Sequence, residues 1–227
     1  MIWLQWLIFA VSLPLQVLVV VSLFRGGYKQ YPLVFAFSLV LLLTTIWDAA
    51  IFAHVIVLTK PTAQLYYYRN ETVRQFLLFT VVVSLIERAT SATPYRTRVL
   101  VSLGLAAALT VLLSLYLHRD VRPTPLLITQ VTRDLNFGSV VLTLLLWLML
   151  ISSQIKDRQL LIVTVGLGLE FTGEAIGQSL RQIADFQHSK SLVLAGNLLL
   201  SVSHLMRLYA WRTAFRSPRG PQGEKAG

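Results

Sequence analysis

The segment VGLGLEFTGEAIGQSL (165–180) places two carboxylates, Glu170 and Glu174, in surroundings that otherwise read as lipid-facing helix. On a helix, positions 166, 170, 173, 174, 177 and 178 recur at three- and four-residue steps and share one face. That face reads Gly166, Glu170, Gly173, Glu174, Gly177 and Gln178. A bare acid at the centre of a bilayer costs about 2.5–3.5 kcal/mol, so two on one stripe must face protein or water. The Gly173-x-x-x-Gly177 pair lets another backbone come close, and the acids then find partners across that contact. Ionisable groups at this depth usually hold a ligand or carry a proton. The competing explanation is a hydrogen-bonded pair that fixes helix register.

Other polar groups fall at neighbouring depths. Within TTIWDAAIFAH, Asp48 sits about 4 Å outward of mid-membrane at 1.5 Å per residue, and Glu174 and Arg74 both sit roughly 7 Å outward. In YYYRNETVRQ, Tyr67, Asn70, Glu71 and Arg74 share one face. Asn197, Ser201 and His204 form a stripe further on, with Asn197 outward and His204 inward of centre. This pattern predicts a polar cavity opening outward that holds Asp48, Glu170 and Glu174 against Arg74, with Arg69 or Arg133 as a further counter-ion. The set of ligand- or proton-binding residues is therefore Glu170, Glu174, Asp48, Arg74, Glu71, Asn197, Gln178 and His204. His204 has a second reading as a packed, hydrogen-bonded helix residue, His54 as an interfacial one, and Tyr66 to Tyr68 as an aromatic belt.

Several chemistries are disfavoured. Cysteine is absent, which removes disulfides, thiol catalysis and cysteine-ligated metal. His54 and His204 differ by about 19 Å in depth, too far for paired haem ligation. A microbial rhodopsin needs a lysine within its last helix, and SLVLAGNLLLSVSHLMRLYAW has none. HExxH, GxSxG and a phosphate-binding Gly-rich loop do not occur. No catalytic residue, metal site or cofactor is assigned. A net charge of +10 would suggest nucleic acid in a water-soluble chain. Here the basic residues lie between and after apolar runs, where they serve topology and lipid headgroups, so nucleic acid is not a partner.

The elements that must position these groups are transmembrane helices. The chain has 227 residues, 55% of them hydrophobic and only 13% charged, with mean hydropathy +0.65. Seven spans are predicted, over 3–24, 33–58, 66–87, 99–117, 134–155, 159–180 and 191–212, each near the roughly 20 residues that cross a bilayer. Continuous apolar runs, not alternating ones, select helices over a barrel. Residues 1–214 form one all-α, seven-helix bundle, followed by a basic, disordered tail over 215–227. Pro14 is expected to kink the first helix. With the N-terminus outside and the C-terminus cytoplasmic, inner segments carry twelve lysines and arginines, Arg207 among them, and outer segments eight. The start MIWLQWLIFAVSLPLQ lacks a positive n-region and reads as a retained helix.

Two features carry a resemblance. They are the third span, YYYRNETVRQFLLFTVVVSLIERA, with an aromatic opening and acids at both ends, and the series RDLNFG, GLGLEFTGE and HLMRLYAW over the fifth to seventh spans. In these the chain resembles small bacterial seven-helix membrane proteins of no assigned activity, and it is similar to the membrane sensor halves of some bacterial receptors. The resemblance implies a bacterial inner, multi-pass cell membrane location. The functional expectation is a module that binds or senses a small ligand and passes its state to another membrane protein. A proton-coupled transporter and a membrane-embedded lipid-modifying enzyme are the alternatives.

Overall fold

The computed structural model describes residues 2–57, 59–91, 138–148, 150, 157–187 and 189–216, with isolated helical positions at 97, 101, 102, 104, 105, 109, 112 and 116. No strand occurs among them. The continuous helices are α1 (Ile2–Ser22), α2 (Pro32–Phe52), α3 (Lys60–Thr90), α4 (Gly138–Leu148), α5 (Arg158–Gln187) and α6 (Lys190–Arg216). Four of these regions are long and apolar enough to cross a membrane: Gln5–Gly27, Pro32–Phe52, Arg158–Arg181 and Lys190–Arg216. They match the first, second, sixth and seventh expected spans. The third corresponds to α3, which at 31 residues has ample length but carries Arg69, Glu71, Arg74, Glu87 and Arg88. Of the fourth span only positions 101, 102, 104, 105, 109, 112 and 116 are described, and the fifth span beyond 138–148 and 150 and the tail from 217 lie outside the described residues.

Local chemistry sets the helix ends. Helix α1 continues through Pro14 and ends in a wider π turn, where Tyr28 N donates to Leu23 O at 2.8 Å. Gly26 in that turn has φ of 147°, open to glycine and costly for other residues. The expected second span ran to residue 58, but α2 stops at Phe52. His54 adopts φ 57° and acts as the left-handed cap: its N–H bonds Ile51 O, and Val55 N bonds Ala50 O. That is the paired bonding of a Schellman motif, closed by a histidine where glycine is usual. Asp157 caps α5, its Oδ1 accepting from Gln159 N and Leu160 N at 3.1 Å each.

The described helices run up and down, with the order α3, α2, α1, α6, α5 around the bundle and the broadest interface between α5 and α6. Antiparallel α5 and α6 approach closely because small residues face each other. A Cβ on Gly196 would lie 2.8 Å from Gly177 O, and one on Gly166 would lie 3.1 Å from the Ala210 Cβ. A Cβ on Gly173 would overlap Ser203. Towards the end that carries Tyr31, apolar side chains such as Phe37, Leu85, Leu146, Leu167 and Trp211 fill the centre. The outer faces expose Trp3, Leu43, Phe76, Leu148 and Tyr209, a surface suited to lipid and unsuited to water.

At the Tyr31 end, Arg88 ties three elements together. It donates from Nη1 to Gln30 O at 2.7 Å, lies 4.2 Å from the Tyr31 ring centre and reaches Asp157 at 3.7 Å. Burial, reinforced by the Asp157 carboxylate, raises the Tyr31 phenol well above its ordinary value, so it stays neutral in this turn.

Candidate functional site

Both acids of α5 are buried, Glu170 at 5% and Glu174 at 7% exposure, and each meets a different arginine. Glu170 pairs with Arg207 of α6, whose side chain is 1% exposed. The guanidinium also lies 5.0 Å from the Phe37 ring centre and 5.1 Å from that of Trp211. Those faces offset part of the cost of taking the charge out of water. Trp211 is held in turn by its Nε1–H, which donates to Val163 O at 3.1 Å. The pair is thus walled by aromatic rings from α2 and α6.

His204 stands beside this pair, with Nδ1 3.3 Å from Glu170 Oε1 and 3.1 Å from Arg207 Nη2. Its Nε2 lies 3.5 Å from Gln16 Nε2, at the edge of hydrogen bonding, and Gln16 Nε2 donates to Thr45 Oγ1 at 3.1 Å. The neutral ring therefore has two bonding states. With hydrogen on Nδ1 it donates to Glu170 and accepts from Gln16. With hydrogen on Nε2 it accepts from Arg207 instead. One side chain can exchange partners on α1, α5 and α6 without any helix moving far.

One turn along α5, Glu174 faces α3. Gln75 Nε2 donates to Glu174 Oε2 at 3.4 Å and to Glu71 Oε1 at 3.3 Å. Arg74 sits nearer to Glu71, at 2.9 Å, than to Glu174, at 3.5 Å. Among the described residues, the polar layer thus contains three carboxyl groups against two guanidiniums, with His204 as a further titratable member. Gln16 Oε1, Gln75 Oε1 and Arg207 Nε are buried with no hydrogen-bond partner among the described residues.

Asp48 stands apart from these acids. It accepts a hydrogen bond from the Tyr66 hydroxyl at 2.9 Å and lines a pocket of about 320 Å³ between α1, α2 and α3. Gln5, Ile8, Phe9, Ile51, Phe52 and Ala63 complete the lining with Tyr66. The expected polar cavity around all three acids is therefore divided. Asp48 lines a mostly apolar pocket, while Glu170 and Glu174 are sealed between helices.

Other expected positions contribute less. Gln178 is half-buried on the acid face without a hydrogen bond among the described residues, and Asn197 uses its backbone carbonyl to accept from Ser201 Oγ at 2.9 Å. Arg69 is exposed, and Arg133 lies outside the described residues. Arg74 does not serve both acids of α5 as its main partner. Arg207, read in the sequence as a basic residue of the inner side, holds Glu170 instead. Gln16 and Gln75, 2% and 1% exposed, were also overlooked. In the structure Gln16 joins Ser12, Val19 and Leu23 on one buried stripe of α1. No set of three or more His, Cys, Asp and Glu side chains suited to a metal occurs among the described residues.

Comparison with protein-family models, with curated proteins and with solved structures returns no match.

Proposed function

We propose that this chain is a membrane module that binds or senses a small ligand in the pocket between α1, α2 and α3. It does so as a bundle of seven spans in a bacterial cell membrane, with the N-terminus outside and the C-terminus in the cytoplasm. Orientation follows from basic residues: with Arg207 buried, inner segments still hold eleven against eight. The pocket then opens near the outer face, where a ligand arrives from outside or from the outer leaflet. A second membrane protein receives the resulting change.

The observation that carries this reading is the series of polar contacts that leads from Thr45, one turn from the pocket, to the ion pair. Asp48 forms part of the pocket wall, and Thr45, three residues earlier, lies on the same face of α2. Gln16 bridges Thr45 and His204, and His204 meets Glu170 and Arg207. A ligand that shifts α2 against α1 disturbs Gln16, and His204 has a second bonding state ready. Such a two-state element is what ligand sensing requires.

Ala63→Trp, which fills the pocket from α3, tests the ligand site. Native mass spectrometry of the protein purified from its own membrane should show a bound small molecule on the wild type and none on the variant. Identical spectra for the two would overturn the reading.

The charge count favours proton-coupled transport as a second reading. Glu71, Glu170 and Glu174 outnumber Arg74 and Arg207 by one, and one proton on a glutamate or on His204 balances the layer. Infrared spectra at neutral pH should then contain a protonated-carboxyl or an imidazolium band. Neither band appearing would remove this alternative.

A further inference from the structure

The pocket beside Asp48 combines one carboxylate with aromatic and aliphatic walls. Asp48 stands four residues before the end of α2, where the aligned peptide dipoles of the helix make the potential negative. An acid there is unfavourable unless a cation offsets it, and no lysine or arginine is among the described residues that line the pocket. The Arg74 guanidinium is engaged by Glu71 and Glu174. The phenolic Tyr66 donor is the one hydrogen bond Asp48 receives among the described residues.

The walls have the matching property. Phe52 is the corner of an aromatic group, 5.3 Å from Trp6 and 5.8 Å from Phe9 between ring centres. Trp47 lies 6.5 Å from Tyr66. The cation–ring contacts among the described residues involve Tyr28, Tyr31, Phe37 and Trp211, and none of them involves a ring of the pocket. Ring faces attract ammonium groups, most strongly where water is scarce. A volume of about 320 Å³ lies at the small end for ligand sites.

Resting on the ligand-site reading above, we propose that the pocket selects a small amphiphilic organic cation. Its ammonium group sits at the Asp48 carboxylate, and its short apolar body lies against Phe9, Ile51 and Phe52. Tyr66 fixes the other carboxylate oxygen and so orients the acid toward the pocket. The same ammonium chemistry is supplied by a free amine or by the headgroup of an ethanolamine lipid.

Equilibrium dialysis of n-hexylammonium and of its uncharged analogue n-hexanol tests this, with the full chain in maltoside micelles free of amines. The ammonium should bind at least about tenfold more tightly, the effect of one charge-assisted hydrogen bond. Asp48→Asn keeps an acceptor for Tyr66 but removes the charge, and should erase that preference while leaving hexanol unchanged. Equal binding of the two probes to the wild type, or a preference that survives in Asp48→Asn, overturns the cation assignment alone. If neither probe binds the wild type, the pocket is not a ligand site and both proposals fall. Should Asp48→Asn fail to fold, Ala63→Trp gives the second readout: binding of both probes must disappear, and persistence places them elsewhere. Nanodiscs of phosphatidylglycerol with and without phosphatidylethanolamine identify the source. Displacement of hexylammonium by the ethanolamine lipid assigns the headgroup, and unchanged binding assigns a free amine, either result keeping the ammonium assignment.

Discussion

Arg207→Met is expected to destabilise the protein by about 3–5 kcal/mol, because it leaves the buried Glu170 carboxylate without its counter-charge. The volume of the side chain is nearly kept, so packing against Phe37 and Trp211 changes little. What is lost is the compensation of a charge at 5% exposure. His204 remains at 3.3 Å and can relieve part of the loss by donating from Nδ1. The figure therefore belongs at the lower end when the ring is free to turn to that tautomer. Thermal unfolding in detergent, followed by circular dichroism, reads the effect. A variant as stable as the wild type would mean that Glu170 does not depend on Arg207.

Gly173→Leu should be comparably severe, at about 3 kcal/mol or more, since no rotamer avoids Ser203 across the α5–α6 contact. Ser203 Cβ is fixed to its backbone, so the helices must part. Parting them also stretches Glu170 from Arg207, which sits on the same interface. Gly104→Ala supplies the control: a Cβ there meets open space, and the better helix propensity of alanine should leave stability unchanged or raise it by about 0.5–1 kcal/mol. The unfolding temperature should therefore fall for Gly173→Leu and hold or rise for Gly104→Ala. Equal tolerance at both glycines would contradict the close packing of α5 on α6.

Part of this site was legible from residue types alone. The recurrence of Gly166, Glu170, Gly173, Glu174 and Gly177 defines a helical face, and the cost of an unpaired acid in lipid turns that face inward. Glu71 and Arg74 follow from three-residue spacing on α3. The partner of Glu170 did not follow, because register depends on where the helices end. Hydropathy falls after Leu180, yet RQIADFQ continues α5 to Gln187, and α6 already begins at Lys190. Glu170 and Arg207 are each seventeen residues from their ends of that turn, which puts them opposite each other. Ending the spans at 180 and 191 shifts them apart by six residues, or about 9 Å. Arg207 then reads as a charge at the inner membrane surface, and His204 as lying inward of centre.

Asp48 shows a different limit. Its depth placed it near the acids of α5, but depth says nothing about azimuth around the bundle. Helix α2 contacts α1 and α3, so Asp48 opens between those two helices and bonds Tyr66. The three tyrosines at 66–68 read in the sequence as an aromatic belt, whereas in the structure the Tyr66 hydroxyl donates to Asp48. Helix α1 was read only as a membrane span, and Gln16 within it joins Thr45 to His204. A lone glutamine in an apolar helix gives no pairing signal until its neighbours are known.

The most direct measurement is a double-mutant cycle on Glu170 and Arg207, using Glu170→Gln, Arg207→Met and the two combined. If the pair is the desolvated link between α5 and α6, each single change is costly and the double variant recovers much of the loss, giving a coupling of about 3 kcal/mol. Additive losses, with no coupling beyond about 0.5 kcal/mol, would show that the two side chains do not meet inside the bundle.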